Sequence, residues 1–194
     1  MIRKAFLPLA AIIFTAVLAS GAAASDYVSA IRTLVEEDMR GWIQSDEIVT
    51  AIKEQNKTSA TLSQSEIDAR DLQWRAETEG GAQPLINAVL GNPLSAYLKE
   101  IRAKADGLYT EIFVMDMRGL NVGQSDITSD YWQGDEEKWQ GAFGGGASAV
   151  LIDEVEFDDS SQAYQSQVTL AVLDPSTRQP IGAITVGVNV DMLD

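Results

Sequence analysis

Hydrophobic residues spaced seven apart mark the stretch that follows residue 25. Four large apolar residues fall on this spacing: Val28, Val35, Trp42 and Val49. Positions seven apart lie on one face of an α-helix, so the pattern predicts a long helix over residues 26–55. Gly41 weakens the middle of this helix, because glycine is a poor helix former.

Three more helices are predicted before residue 108. Residues 63–66 (Ser-Gln-Ser-Glu) form a capping box that opens the first, and Gly80-Gly81 ends it. Pro84 and Pro93 stand where the first turn of a helix tolerates proline. The helix after Pro93 ends at Asp106-Gly107. The region up to residue 110 is therefore helical.

The pattern changes to strands from residue 111 onward. A hairpin is predicted from residues 112–117 and 120–124, with Arg118-Gly119 at its turn. A loop and a short helix follow over residues 126–143. Three further strands come last: residues 149–157, 164–173 and 181–190. The last strand alternates apolar with small or polar residues, which is typical of a half-buried antiparallel strand.

These elements predict an α+β fold with a five-stranded antiparallel sheet. About 170 residues after the signal segment suffice for one domain and are too few for two ordinary ones. We expect residues 25–110 to be the helical part of this domain and residues 111–194 to be its sheet part.

Residues 1–24 are typical of an export signal. Arg3 and Lys4 precede an apolar run over residues 6–18, and residues 22–24 are three alanines suited to cleavage. The mature protein is then expected to begin at Ser25, with an uncleaved membrane anchor as the alternative. No second hydrophobic stretch follows, so we expect a periplasmic protein that does not insert into the membrane after cleavage.

The composition narrows the classes of partner. The chain has 14 Lys and Arg against 29 Asp and Glu, a formal net charge of -15. Such a surface repels nucleic acid and anionic lipid, and it attracts cations such as amines. An acidic surface that serves solubility alone is the simpler interpretation.

The chain contains neither cysteine nor histidine. Thiol catalysis, thiolate metal sites and a Ser-His-Asp triad are thereby excluded. We expect a protein without enzymatic activity, cofactor or metal site. Two weaker alternatives remain: a hydrolase using Asp153 and Glu154, whose side chains would point to opposite faces of a strand, and a calcium loop over residues 126–137. Tyr131 replaces the glycine that a calcium loop needs at its sharp turn.

The order of elements resembles the extracytoplasmic PAS-like sensor family called Cache or PDC. Residues 113–119 (Phe-Val-Met-Asp-Met-Arg-Gly) are similar to the first-strand hairpin of that family, and residues 181–187 to its final strand. Family members sit between two membrane helices of a histidine kinase, chemoreceptor or cyclase. This chain ends four residues after Val190, so the resemblance implies a freestanding module whose signal passes through a partner protein.

The resemblance also implies where a ligand would lie. In the family, a small ligand rests on the sheet beneath the segment that joins the second and third strands, here residues 125–139. Amino-acid-binding members carry an arginine ahead of a tryptophan and a tyrosine, whereas this segment has Lys138 as its one cation. Seven residues are candidates for ligand contacts: Tyr131, Trp132, Trp139, Asp116, Asp130, Glu136 and Asp153.

The sequence thus predicts a non-enzymatic sensory module for a small polar molecule, such as an amine, an amino acid or an organic acid. The alternative is an envelope interaction module with no small ligand. Partners of the sensory form would be a membrane-bound sensor kinase or a chemoreceptor. The first helix offers a face for a homodimer, although an amphipathic face is as often used within its own domain.

Overall fold

The computed structural model describes residues 20–193. The predicted signal segment lies outside the described residues, except for the backbone of residues 20–24, which begins the first helix. No helix within residues 20–193 is both long and apolar enough to cross a membrane. The helices are α1 (Ser20–Leu34), α2 (Arg40–Trp42), α3 (Asp46–Ser59), α4 (Gln64–Thr78), α5 (Pro84–Leu90), α6 (Pro93–Lys104) and α7 (Glu137–Gly145). The strands are β1 (Tyr109–Asp116), β2 (Asn121–Gln124), β3 (Val150–Ile152), β4 (Glu156–Asp158), β5 (Ala163–Leu173) and β6 (Pro180–Asn189).

The predicted helix over residues 26–55 is two helical stretches. The first stretch, α1, continues through a π-helical turn at Val35–Met39 into α2 and stops there. Ser45 is extended, with ψ at 156°, and α3 begins after it. The side chain of Gln44 donates to the Ala171 carbonyl (3.3 Å) and accepts from the Leu173 N–H (3.1 Å). Gln44, at the break between the two helical stretches, therefore binds the end of β5. The periodicity of the sequence does not predict such a contact.

The helices α4 to α6 begin as the sequence predicts. Both halves of the capping box at Ser63 and Glu66 are formed, and a proline occupies the first turn of α5 and of α6. The Glu77 carboxylate, at the end of α4, accepts hydrogen bonds from the first amides of α5, with the Ile86 N–H at 2.9 Å. Burial by itself would raise the pKa of Glu77, but these hydrogen bonds outweigh it and hold that pKa below its usual value.

The sheet is antiparallel throughout, and its strands lie in the order β2-β1-β6-β5-β3. The short strand β4 also pairs with β5, next to β3 along the same edge. The predicted strand over residues 149–157 is therefore interrupted at residues 153–155. The sheet has five positions across, as predicted, and the predicted hairpin is present as β1 and β2.

One side of the sheet is covered by the N-terminal helices and forms the main core. Its strand residues alternate with period two: Ile112, Val114, Val168, Leu170, Val172, Ile184, Val186 and Val188. Gly182 lets α3 approach this side, because a Cβ at that position would lie 3.1 Å from the Ile52 side chain and 2.2 Å from the Met115 carbonyl oxygen. We call this the helix side.

The opposite side carries the segment of residues 125–145, which we call the roof because it runs over the sheet and includes α7. The sequence predicts a half-buried last strand, whereas residues 182–188 of β6 are buried on both faces. The reason is α7, which packs Ala142 and Trp139 against Phe113, Met115 and Ala183. Since α7 covers only part of this side, the remainder is open to a ligand.

Candidate functional site

A polar cavity lies on the roof side of the sheet, beside α7. It consists of two adjoining hollows of about 430 and 380 Å³. Both hollows are lined by the same four side chains: Lys138, Glu156, Gln165 and Gln167. The combined space suits a small organic molecule, and we call it the polar cavity.

The floor of the polar cavity depends on Gly187. In the sheet register this glycine stands between Glu111 on β1 and Gln167 on β5. Those two residues are two strands apart, roughly 10 Å, yet the Gln167 Nε2 donates to the Glu111 Oε1 at 2.8 Å. They meet above Gly187, where a Cβ would lie 2.6 Å from Gln165 Oε1 and 2.9 Å from Glu111 Cγ. A larger residue at Gly187 would displace this network.

Hydrogen bonds fix the orientation of the amides on the floor. Gln165 Nε2 donates to Glu111 Oε1 at 3.1 Å, and Thr110 Oγ1 donates to Gln165 Oε1. The Glu111 carboxylate thus accepts from two amide groups and keeps acceptor capacity for a ligand. A network whose members already hold one another in place loses little freedom when a ligand binds.

Lys138 is the cation of the polar cavity. It belongs to the first turns of α7, and its Nζ donates to Gln167 Oε1 at 2.8 Å. The same ammonium lies 5.7 Å from the centre of the Phe113 ring. Lys138 therefore links the roof to the sheet and places a positive charge at one wall of the cavity.

The walls of the polar cavity are acidic. Five carboxylates line its two hollows: Glu111, Asp153, Glu154, Glu156 and Asp158. Among the described residues that line them, Lys138 is the one cation. Although Asp153 as a residue is exposed, its carboxyl group is partly desolvated at the wall, and this burial raises the pKa of Asp153; Lys138 opposes the effect. The cavity therefore favours a positively charged guest.

The sequence-based argument against Asp153 and Glu154 acting together is wrong in its geometry. Strand β3 ends at Ile152, so the two residues lie in irregular chain rather than in a strand. Both line the same hollow. The strand alternation that would send them to opposite faces does not apply there.

The mouth of the polar cavity is apolar. Ile127 and Phe157 line it and are each 49% exposed to solvent. Phe157 also meets Tyr164 edge-on, with the ring centres 5.2 Å apart. These side chains give the entrance an apolar margin above a charged floor.

Two of the predicted aromatic contacts, Tyr131 and Trp132, lie in a small core beside the cavity. The Tyr131 ring is 4% exposed and stacks on Trp74 of α4, with the ring centres 5.5 Å apart. Trp132 donates its indole N–H to the Arg118 carbonyl at 2.8 Å. Asp71 accepts from the backbone N–H groups of both Tyr131 and Trp132, at 2.9 and 3.0 Å. Helix α4 thus holds this part of the roof.

The remaining predicted contacts occupy several places. Trp139 stacks on Phe143 at 4.9 Å, and Asp116 is fully buried, where its carboxylate accepts from the amides of the β1–β2 turn. Asp130 pairs with Arg75 at 2.9 Å. Glu136 is the residue before α7 and is exposed. Of the seven candidates, Asp153 lines the polar cavity. Ligand contacts by all seven stay a prediction.

The predicted calcium register is occupied by ion pairs. Asp126 pairs with Arg102 at 3.1 Å, and Asp130 pairs with Arg75. Within residues 20–193, no group of three or more acidic side chains is placed to hold a metal ion.

Sequence reasoning missed three residues of the cavity floor: Glu111, Gln165 and Gln167. Their signal is present in the strand pattern. Glu111 and Gln167 stand next to Ile112 and Val168, two large apolar residues of the helix side. Gln165 stands two positions before Gln167, on the same face of β5. Long polar side chains at every second position of a central strand indicate that the second face is not a packed core.

No family model matches the sequence, and no curated protein matches it. Among solved structures, the sensor domain of the V. cholerae histidine kinase DctB matches at 14% identity and a TM-score of 0.46, covering 87% of this chain and 54% of that one. The sensory domain of the Campylobacter jejuni chemoreceptor Tlp3 matches at 14% identity and a TM-score of 0.42, covering 87% and 60%.

A third match is the ligand-binding domain of the Pseudomonas fluorescens chemoreceptor CtaA in complex with L-serine, at 12% identity and a TM-score of 0.38, covering 55% of this chain and 46% of that one. All three are sensor or ligand-binding domains of signalling receptors. This is the class of protein that the sequence resembles. The chain spans little more than half the length of the sensor domain of DctB.

Proposed function

We propose that the protein is a sensory binding module whose polar cavity takes a small organic molecule with a positively charged group, such as an amine or an amino acid. The observation that carries this proposal is the cavity itself, with five carboxylates around one lysine over a floor of oriented amides. The helix side of the sheet is filled by the side chains of a packed core, whereas this part of the roof side is open.

Each part of the ligand has a counterpart in the cavity. An ammonium group would be bound by the carboxylates of Glu111 and Glu156. The side-chain amides of Gln165 and Gln167 would donate hydrogen bonds to polar substituents of the ligand or accept hydrogen bonds from them. A ligand carboxylate, where there is one, would pair with Lys138 after that lysine exchanges its bond to Gln167. Organic acids without a positive group are then expected to bind more weakly than amines.

The magnitudes allow this proposal. Micromolar binding needs about 8 kcal/mol, and a hydrogen bond to a charged group contributes about 1.5 to 3 kcal/mol. Two such bonds contribute about 3 to 6 kcal/mol, so the remainder has to come from burial of the ligand's apolar part against the exposed side chains of Ile127 and Phe157. One carboxylate alone would not reach that range.

The test is a thermal-shift screen followed by calorimetry. Protein refolded from denaturant, so that no metabolite is retained, is screened against amines, amino acids and organic acids. We expect at least one amine or amino acid to raise the melting temperature. Gly187→Ala and Glu111→Gln should abolish that rise, while Glu79→Gln, an exposed carboxylate at the end of α4, serves as the matched control. A panel that moves no melting temperature would contradict the proposal.

We further propose that the occupied state is reported to a partner, a membrane-bound sensor kinase or chemoreceptor, from a periplasmic location. The supports are the sequence pattern of residues 1–24 and the resemblance to extracytoplasmic sensors. Fractionation of cells that express the full chain tests the location. Light scattering with and without the identified ligand tests whether the N-terminal helix forms a homodimer.

A further inference from the structure

A groove of about 830 Å³ lies between α3 and the start of α6, away from the polar cavity. Its apolar surface comes from Ala51 of α3, Pro93 and Leu94 of α6, and Val122 of β2. Leu94 and Val122 belong to the main core, so the groove opens directly onto buried structure. We call it the α3–α6 groove.

The margin of the α3–α6 groove is acidic. Asp46, Glu47 and Glu54 line it, and the described residues that line it include no lysine or arginine. Asp46 and Glu47 stand in the first turn of α3, where negative charge also stabilises the helix. Glu54 lies in the interior of α3 and has no such role; it pairs with the exposed Lys57. An apolar floor with an acidic margin complements apolar residues flanked by positive charges.

The shape of the groove suits a helix. The exposed residues of α3 on its wall follow helical spacing, from Glu47 through Thr50 and Glu54 to Thr58. Eleven residues of helix rise roughly 16 Å, which is about three turns. An occupant helix lying alongside α3 would place apolar side chains three and four residues apart against the floor.

An extended peptide fits the groove less well. β2 is the edge strand beside it, but its ladder groups already have partners within the protein. The Val122 carbonyl accepts from Asn92 Nδ2 at 2.7 Å, and the Gln124 N–H donates to Ser95 Oγ at 2.9 Å. Strand addition would have to break these bonds.

We propose that the α3–α6 groove is a docking site for an amphipathic helix of a partner protein that carries lysine or arginine beside its apolar face. A second copy of this chain is disfavoured as the occupant, because the chain has a net charge of -15. The inference does not depend on the polar cavity, so a cavity without a ligand would leave it intact.

The test uses a synthetic, fluorescently labelled peptide of about 16 residues, with leucine at helical spacing and lysine on both flanks. Two control peptides keep the apolar pattern: one has glutamate in place of lysine, and one has two central prolines that prevent the helix. Fluorescence anisotropy with the full chain measures binding. We expect the lysine peptide to bind, and both controls to bind at least about tenfold more weakly.

Substitutions at Thr50 locate the binding. Thr50 is exposed in the middle of α3, and lysine and glutamate are both better helix formers than threonine, so neither variant disturbs the fold. Thr50→Lys should weaken binding of the lysine peptide about two- to fivefold, and Thr50→Glu should strengthen it by a similar factor. The matched controls are Thr33→Lys and Thr33→Glu, at an exposed threonine of α1, which change the same net charge far from the groove.

Three results would overturn the proposal. Equal effects at Thr50 and Thr33 would mean that the peptide responds to net charge alone. Equal binding of the proline peptide would mean that the occupant is not a helix. A change of self-association in Thr50→Lys, measured by sedimentation equilibrium without peptide, would assign the groove to a second copy of the chain.

Discussion

The two sides of the sheet use the same strands for different purposes. On the helix side, β1, β5 and β6 contribute branched apolar residues that are fully buried under the N-terminal helices. On the roof side, the alternate positions of those strands begin with Met115 and Ala183, pass through the hydroxyls of Thr169 and Thr185, and end at Glu111 and Gln167. The roof side thus changes from apolar to charged along the strands.

This gradient shows how one sheet can both stabilise the domain and offer a surface for a ligand. The helix side supplies the apolar burial that stabilises the domain, so the roof side can keep polar groups in place of packing. Those groups are held by hydrogen bonds rather than by contact with a second core. Substitutions on the helix side should accordingly change mainly the free energy of unfolding, and those at the polar cavity should change mainly the affinity for a ligand.

The largest effect is expected on the helix side. Ile184 is fully buried between the sheet and the helices, so Ile184→Ala removes transfer free energy and leaves a cavity. We expect the free energy of unfolding to fall by about 3 kcal/mol in urea denaturation. Gln167→Ala on the roof side is the matched comparison, and it should cost less stability while it weakens ligand binding. Equal losses of stability would contradict the division between the two sides.

The next effect concerns the anchor of the roof. Asp71 is 7% exposed, and its carboxylate holds the Tyr131 and Trp132 amides and pairs with Arg75 at 2.9 Å. Asp71→Ala leaves those amides unpaired, so we expect a loss of about 2 to 3 kcal/mol in the free energy of unfolding. Asp68→Ala, at an exposed position of the same helix, should change stability by under about 0.5 kcal/mol. Equal effects would show that Asp71 does not hold the roof.

A smaller effect is expected at the middle of the roof side. The Thr169 and Thr185 hydroxyls form a buried hydrogen bond of 2.9 Å between β5 and β6. Thr169→Val or Thr185→Val alone leaves one hydroxyl unpaired and should cost about 1 to 2 kcal/mol. The double variant should cost less than the sum of the two, because both polar groups are then gone. Additive losses in the double-mutant cycle would argue against coupling.

The smallest effect is a pH dependence of ligand binding. The raised pKa of Asp153 means that this carboxyl takes up its proton at a higher pH than an ordinary aspartate. As the pH falls through that pKa, the polar cavity loses one negative charge, so a cationic ligand should bind about twofold more weakly. Calorimetry with a quaternary ammonium or strongly basic amine, which stays charged, isolates this change. Asp153→Asn should flatten the profile, whereas Asp159→Asn, on the nearby exposed turn, should keep it.

Local signals in the sequence predicted much of the fold. The capping box at residues 63–66, the prolines of α5 and α6 and the hairpin turn at Gly119 act through neighbouring residues, and all are present. The break at residues 43–45 depends instead on the bonds between Gln44 and β5, more than a hundred residues away. A periodic pattern contains no information about such a partner.

The sequence predicts ligand contacts in the roof, and the proposed polar cavity adjoins the roof but is lined mainly by other residues. The roof was identified by its aromatic density, yet Tyr131 stacks on Trp74 because α4 holds the roof through Asp71. That contact is tertiary and has no local pattern. The polar floor has a signal in the sequence, since two glutamines at alternate positions of β5 and the single glutamate of β1 are not expected on the face of a filled second core.

The apolar mouth of the polar cavity has a thermodynamic consequence. A guest that enters past Ile127 and Phe157 removes hydrocarbon surface from water, and such removal lowers the heat capacity of the system. The enthalpy of uptake should then become steadily more exothermic as the temperature rises. Phe157→Ser would make that slope shallower, so a series of titrations at several temperatures records whether the entrance closes over its guest.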